Sequence, residues 1–339
     1  MTKTVLVTGA TGFLGHHVVR RLNAQGIRPR VLELRDSDRG PLDGLDIDRC
    51  AGHLGEPRAV AEACAGVDTL LHLGFMVSVA AGPQVRADME RVNVVGTQHL
   101  LECAASQGVG RVVVAGSALG VGVNHRPHRL NEDADWSATA FDTPYAVVRR
   151  RAEYAALAQA TPTFAVMSVC PSFTLGPDDP VGAPANKLVG RVMRRRMPFS
   201  LRVGFGTLDV RDFATGVLAA AERGRSGRRY LLSGDNVTAD GFLREAATVA
   251  GVHPPRLRAP VPLVRAAAGA LTLVGRLRGG PGPIDPSLLQ IVGRYAWYDT
   301  TRARAELGWE PRPLRRTLED TVAFLRSAAR PSGAAGRVR

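Results

Sequence analysis

The sequence predicts an α/β protein with a doubly wound parallel sheet and a smaller, mostly helical lobe toward the C-terminus. Three observations carry that expectation. The apolar run Val5-Leu6-Val7 leads into the glycine loop Thr8-Gly9-Ala10-Thr11-Gly12-Phe13-Leu14-Gly15, and a helical pattern opens directly behind it. Short strand-like runs at 4–7, 30–34, 68–73, 111–115, 163–169 and 229–232 alternate with helical periodicity over 13–25, 57–65, 84–107 and 144–160, the rhythm of βαβ crossovers. With 339 residues, 45% apolar and 22% charged, the chain can bury one large α/β unit with an appended lobe.

The loop comes first in the chain and in the argument. Strand, glycine loop and helix in that order suit a dinucleotide pyrophosphate. Gly9 makes the tight turn, Gly12 lets the backbone approach the phosphates, and Gly15 lets the helix lie close to the strand. The helix N-terminus then faces the negative charge. Gly9 and the run Thr11 to Gly15 are therefore the expected cofactor cradle, the alternative being a plain structural turn. At the end of the second strand stands Glu33, 18 residues after Gly15, where an acid accepts the ribose hydroxyls of an adenosine and repels a 2′-phosphate. That favours NAD over NADP, with Arg35 and Arg39 close enough to pair with such a phosphate. The competing view of Glu33 is a solvated strand end.

After Gly176 the rhythm changes. Proline and glycine cluster at 176–184, a basic helix follows near 186–196, and 212–222 reads as another helix. Beyond 236 the pattern is mostly helical and is broken by the loop at 279–283. Residues 1–176 and 208–236 are assigned to the dinucleotide domain, 177–207 and 237–328 to a substrate lobe, and 329–339 to a disordered tail.

Composition narrows the partners. The net charge is +13, but only Lys3 and Lys187 are lysines, so the arginine excess reads as a coding bias. Clusters at 149–151, 194–196 and 223–229 have no interleaved aromatic platform and are expected to be solvated helix faces, not a nucleic-acid site. Cys50, Cys64, Cys103 and Cys170 form no C-x-x-C pair, so neither disulfides nor zinc are indicated. The best apolar stretch, 261–274, is interrupted by Arg265 and too short to span a bilayer, and no signal peptide is apparent. The expectation is a soluble cytoplasmic protein with a small-molecule substrate and no membrane or nucleic-acid partner.

Ser117 follows the strand Val112 to Ala115, at the sheet edge where open α/β folds place their ligand crevice. Tyr145 opens a helix and Arg149 lies one turn further along the same face. A tyrosine beside a fixed cation and a serine hydroxyl can relay a proton to or from a carbonyl or carbinol oxygen.

With these residues the chain resembles the extended short-chain dehydrogenase/reductases, the group of NAD-dependent epimerases and dehydratases and dihydroflavonol-reductase-like enzymes. The resemblance covers nearly the whole chain. It rests on T-G-A-T-G-F-L-G, on the strand 67–74, on Asn93-Val94-Val95-Gly96-Thr97, and on Pro144-Tyr145 with Ala152-Glu153. Further on, Val210 to Ala214, Tyr230 to Gly234, and Glu306 to Trp309 with Pro311 complete it. It implies a Rossmann domain, a nicotinamide cofactor, and hydride transfer with Ser117 orienting the reacting oxygen and Tyr145 as acid/base. It also implies cofactor contacts from His53, Leu54, Leu73, Gly74, Asn93, Tyr145, Arg149, Pro171 and Ser172, and a homodimer through 84–107 and 144–160.

The chain departs from the family pattern in three places. Arg149 stands where the family has lysine. A unit charge about 4 Å away at an effective dielectric near 20 stabilises a tyrosinate by about 4 kcal/mol, and from about 6 Å by about 2.8 kcal/mol. Arginine thus replaces much of the electrostatics but not a proton relay. His53 replaces the usual aspartate beside the adenine. Cys170 and Phe173 stand where nucleotide-sugar enzymes tend to carry arginine and asparagine, and the arginine-bearing segment between Gly206 and Asp212 is short. A sugar diphosphate would lack charge-assisted donors, which shifts the expected substrate to a small, largely apolar ketone or secondary alcohol. The alternatives are a nucleotide-sugar epimerase or dehydratase, and a catalytically silent NAD-binding protein. His72 reads as a packed residue, His125 and His128 with Asp133 and Asp135 as a polar loop without metal spacing, and Trp297 and Tyr298 as packing or pocket wall.

Overall fold

Among the described residues the chain forms thirteen strands and ten α-helices, interleaved along its length. The structure is a computed structural model and describes residues 4–78, 82–136, 141–260, 262–264, 266, 269–270 and 290–329. The loop expected at 279–283 and the tail beyond 329 lie outside the described residues, as does most of the apolar stretch 261–274.

Strands β1 (Val5–Thr8), β2 (Arg30–Glu33), β3 (Asp48–Ala51), β4 (Thr69–His72), β5 (Arg111–Ala115), β6 (Ala165–Pro171) and β10 (Arg229–Leu232) form one sheet in the order β10-β6-β5-β4-β1-β2-β3. Every neighbouring pair is parallel. The order reverses between β1 and β4, the switch point at which doubly wound sheets bind dinucleotides. Strands β1 and β4 are buried at all four positions, which is why they read as unbroken Val/Leu runs.

The two faces of the sheet separate cleanly. Val5, Val7, Leu71, Val113 and Val169 enter one core beneath α1 (Phe13–Ala24) and α7 (Val210–Arg223). Their neighbours Leu6, Leu70, Val112, Val114 and Val166 enter another beneath α2 (Pro57–Cys64), α4 (Gly96–Ser106) and α5 (Pro144–Leu157). Strand periodicity sends alternate side chains to opposite faces, and each buried Val or Leu contributes about 1.5–3 kcal/mol.

Two elements differ from the sequence expectation. Strand β3 was not anticipated, because Asp48-Arg49-Cys50-Ala51 shows no apolar alternation; it is an edge strand held by its backbone ladder and by the Arg30–Asp48 ion pair at 3.0 Å. The helix expected over 84–107 is interrupted. It runs as α3 (Pro83–Glu90), a π-helical turn (Arg91–Val95) and α4. Single π turns widen a helix locally and often accompany functional sites.

The lobe combines helices α6 (Pro184–Met193), α8 (Ala239–Ala250) and α10 (Leu314–Ala328) around Leu175, Val189, Phe242, Leu243, Leu318 and Val322. It also holds a small sheet: β9 (Gly204–Asp209) pairs with β7 (Phe173–Leu175), β11 (Asn236–Thr238) and β13 (Tyr295–Ala296). Strands of two to six residues leave little periodic signal. The chain then returns to the sheet domain. Ala303 and Leu307 of α9 (Thr301–Leu307) and the fully buried Trp309 pack in the core beneath the large sheet, and Trp309 Nε1 donates to Asp212 O at 2.8 Å. That segment had been assigned with 237–328 to the lobe.

Helix α6 ends unusually. Arg196 N bonds to Arg191 O at 2.8 Å across Arg195, whose φ is 55°. This left-handed position is normally taken by glycine, and a side chain there costs about 1 kcal/mol.

Candidate active site

At the switch point the loop geometry is dictated by missing side chains. A Cβ on Gly15 would lie 2.0 Å from Gly9 O, and one on Gly9 would lie 2.4 Å from the Cα of Gly74. Gly9 also has φ +70°, so glycine is required there on both grounds. Gly12 closes the turn (Gly12 N to Gly9 O, 3.1 Å) and precedes α1. Thr11 and Leu14 are half-buried and Phe13 is buried, and the first-turn N–H groups of α1 lack helical acceptors, as in any helix.

The end of β4 is tied to this loop. Thr97 Oγ1 donates to Asn93 O at 2.6 Å, so it accepts from His72 Nε2 at 2.9 Å. The opposite ring nitrogen of His72 therefore accepts from Thr8 Oγ1 at 2.7 Å, and Thr8 Oγ1 in turn accepts from Gly74 N at 3.2 Å. Burial pushes the His72 pKa down to about 3, so the ring is a neutral spacer. Leu73 N bonds to Thr8 O at 3.2 Å. Asn93 spends its amide on the backbone of Met76, accepting at 2.7 Å and donating at 2.8 Å. It shapes the loop after β4 from within the π turn.

On the adenosine side the expected residues are already engaged. Glu33 is buried, and its oxygens accept from Arg49 at 2.9 and 3.1 Å, with Arg39 at 3.3 Å. Two arginines neutralise the carboxylate, which weakens the repulsion of a 2′-phosphate that the sequence reading assigned to it. Arg35 pairs with Glu56 at 2.8 Å on the surface. His53 is exposed and turns back on Glu56 at 3.1 Å and on Gly55 N at 3.0 Å. Leu54 is held by its carbonyl, which accepts from His99 at 2.7 Å.

Helix α5 carries Tyr145 and Arg149, and Arg149 reaches the end of β5. Thr143 caps it by accepting from Ala146 N at 3.2 Å, and Pro144 occupies the first helical position, where its missing N–H costs nothing. Tyr145 follows, half-buried. One turn on, Arg149 is buried and donates from one nitrogen to both Ala115 O (2.6 Å) and Gly116 O (2.7 Å), the residues leading into the buried Ser117. Its guanidinium lies 3.6 Å from the ring centre of Phe75. Burial lowers its pKa, opposed first by Tyr145 and then by Glu153. Nε and Nη1 of Arg149 are buried without hydrogen-bond partners, as is Ser172 Oγ at the end of β6. Orphan donors at this sheet edge, together with a glycine cradle that a Cβ would fill, fit a polar cofactor lying across it.

Behind Gly116 lies a cluster that sequence reasoning missed. Glu153, Arg229 and Cys170 are buried, with Cys170 Sγ donating to Glu153 Oε1 at 2.9 Å and Arg229 paired to the same carboxylate. Burial and the Glu153 charge hold the Cys170 thiol well above its ordinary pKa. A Cβ on Gly116 would strike Ser168 Oγ at 2.7 Å and Cys170 Sγ at 2.8 Å, so the turn rests directly on this group. The partners are 76 residues apart in Glu153 and Arg229, and nothing local marks either; Phe75 is equally silent in the sequence.

The remaining candidates serve packing. Phe173 stacks edge-on against Phe205 at 5.0 Å, Trp297 Nε1 donates to Val237 O at 2.9 Å, and Tyr298 is buried with its hydroxyl on Gly122 O at 3.1 Å. Among the described residues no three His, Cys, Asp or Glu side chains gather as a metal group.

The model of the NAD dependent epimerase/dehydratase family matches residues 5–233. The chain belongs to that family. It is also similar to sterol demethylase protein B of Methylococcus capsulatus, 31% identical over 95% of this chain and 98% of the relative. A second relative is the 4-hydroxy-2-methyl-3-oxo-4-farnesyl-3,4-dihydroquinoline-1-oxide ketoreductase of Stigmatella aurantiaca, 28% identical over 90% of this chain and 91% of that protein. The crystal structure of gox2253 superposes with a TM-score of 0.85 at 27% identity, covering 96% of this chain and 99% of that one. The protein is thus an extended short-chain NAD-dependent oxidoreductase with a Rossmann sheet, and its cofactor is NAD.

Proposed function

We propose that the enzyme interconverts a ketone and a secondary alcohol on a largely apolar metabolite, with Tyr145 as acid/base, Ser117 orienting the reacting oxygen and Arg149 as the fixed cation. One observation carries this most: Arg149, buried one turn from Tyr145, is clamped to the two carbonyls that lead into Ser117. NAD supplies the hydride acceptor for the alcohol and, reduced, the hydride donor for the ketone. In the reductive direction the Tyr145 hydroxyl gives its proton to the carbonyl oxygen as the alcohol forms. The tyrosinate left behind is stabilised by the Arg149 charge, by about 4 kcal/mol at about 4 Å and an effective dielectric near 20. Guanidinium does not release its proton, so Tyr145 is recharged from water, which its partial exposure permits. Within the same proposal, Gly9, Thr11 to Gly15, Leu73, Gly74, Pro171 and Ser172 line the cofactor, and Asn93 acts through Met76.

An apolar substrate is favoured by what replaces the diphosphate clasp. Cys170 is sealed in the Glu153 cluster, Phe173 is stacked in the lobe, and Arg211 is consumed by Asp209 and Asp320, both at 2.7 Å. The two relatives are named for a sterol and for a farnesyl-bearing ketone. Tyr145→Phe is expected to lower kcat by about 10²–10⁴-fold while NAD affinity, measured by calorimetry, stays within about threefold of the unmodified chain. An undiminished rate removes Tyr145 from the chemistry. Strong thermal stabilisation by UDP- or dTDP-sugars, absent with apolar ketones, overturns the substrate class instead.

A further inference from the structure

The charge of this chain is unevenly distributed. Residues 180–208 and 246–260 together hold eight basic and no acidic residues, while the rest of the chain carries 36 basic against 31 acidic. A coding preference for arginine over lysine changes which cation is used.

In the fold these stretches meet. Strand β8 (Phe199–Ser200) pairs with β12 (Leu257–Arg258), setting Leu257 opposite Phe199 and Arg258 opposite Ser200. Ser200 points inward, buried, with its hydroxyl on Asp240 at 3.3 Å. The alternate pair therefore points outward: Phe199 is 42% and Leu257 68% exposed, and Leu263, just beyond, is 65% exposed. Arg194, Arg195, Arg196, Arg202 and Arg256 are exposed within a few residues of this ribbon, and Arg191 is exposed on the last turn of α6. No ion pair joins any of the six to an acid among the described residues. The acid beside the ribbon, Asp240, is already held by Arg258 at 2.8 Å and Arg244 at 3.0 Å. Arg195 keeps its cation in the left-handed conformation where glycine would be relaxed.

We propose that the β8–β12 ribbon and the end of α6 form a docking surface for an anionic lipid bilayer. The arginines lie at the headgroups, and Phe199, Leu257 and Leu263 enter the acyl boundary. Basic residues framing apolar side chains are the pattern of interfacial binding. Nucleic acid is the weaker match, since a single aromatic ring offers no stacking platform. The surface stands independently of the substrate assigned above.

The test is flotation of the full chain with vesicles of phosphatidylcholine alone or with about 30% phosphatidylglycerol, near 0.1 M salt. Binding is expected only to the anionic vesicles, and weaker at high salt. Arg194→Gln/Arg195→Gln/Arg196→Gln is expected to weaken it about 100-fold, from about fivefold per arginine. Phe199→Ser and Leu257→Ser are each expected to weaken it about tenfold. Arg195→Gly separates docking from stability, because its Tm is expected to be unchanged or higher while partitioning falls. Neutralising Arg58, Arg126 and Arg228, which lie outside the ribbon, should leave binding intact. The proposal is overturned if the chain ignores anionic vesicles. Equal weakening by the distant arginines, or displacement from vesicles by duplex DNA at equal mass, overturns it too.

Discussion

The glycine loop and the end of β5 are both crowded, but by opposite means. Around Gly9 and Gly15 the chain approaches itself because side chains are missing, with hypothetical Cβ atoms 2.4 and 2.0 Å from backbone. Around Gly116 it closes on buried charge, where Arg149, Glu153 and Arg229 each depend on a partner across the sheet. The first region tolerates nothing added. The second tolerates nothing removed.

That contrast can be broken by mutation. The largest effect is expected behind β5: Glu153→Ala leaves Arg229 buried and unpaired and should cost about 3–5 kcal/mol in urea unfolding. A cost below about 1 kcal/mol means the cluster is already hydrated. Gly15→Ala should come next, at about 1–3 kcal/mol from overpacking, together with loss of measurable NAD binding. Retained binding shows that the loop can open. A smaller effect comes from pH. The His72 ring stays neutral down to about pH 3 in the folded chain, whereas an unfolded histidine takes a proton below about 6.5. Unfolding therefore takes up protons between those limits, and stability falls as pH drops through them. At pH 5 the loss is about 2 kcal/mol relative to pH 7.5, and His17, lowered to about 4 by burial, acts in the same direction. A flat profile between these pH values contradicts the buried neutral rings. Smallest is Phe75→Leu, which removes the ring over Arg149 and should weaken its placement by about 1 kcal/mol. It should be read as a shifted pH–rate profile with the fold intact, and an unchanged profile makes the ring mere packing.

The same contrast explains what could be read from the sequence. Missing side chains leave a mark, because glycines at fixed spacing after an apolar run are local; Gly9, Gly12 and Gly15 were placed correctly with strand and helix around them. Buried charge leaves none, since Glu153 looks like any helix-surface acid until Arg229 arrives from the far edge of the sheet. Glu33 lies between these cases. Its position at the end of β2 was legible, but its two arginine partners come from β3, an edge strand without apolar alternation, and from the loop before it. Ser117, Tyr145 and Arg149 are proposed from their resemblance to a family pattern; the β5–α5 packing itself shows Arg149 clamped to Ala115 O and Gly116 O.

Trp309 has one further consequence. Its indole is sealed under the large sheet and bonded to Asp212 O, and three residues on Arg312 grips the Asp212 carboxylate at 2.8 Å. The lobe is therefore stitched to the sheet domain at several seams, unlike a bead on a single tether. Such a lobe can breathe over the cleft but cannot swing free of it. A chain cut near residue 300 would lose more than a lid: it would lose part of the floor on which the cofactor domain stands.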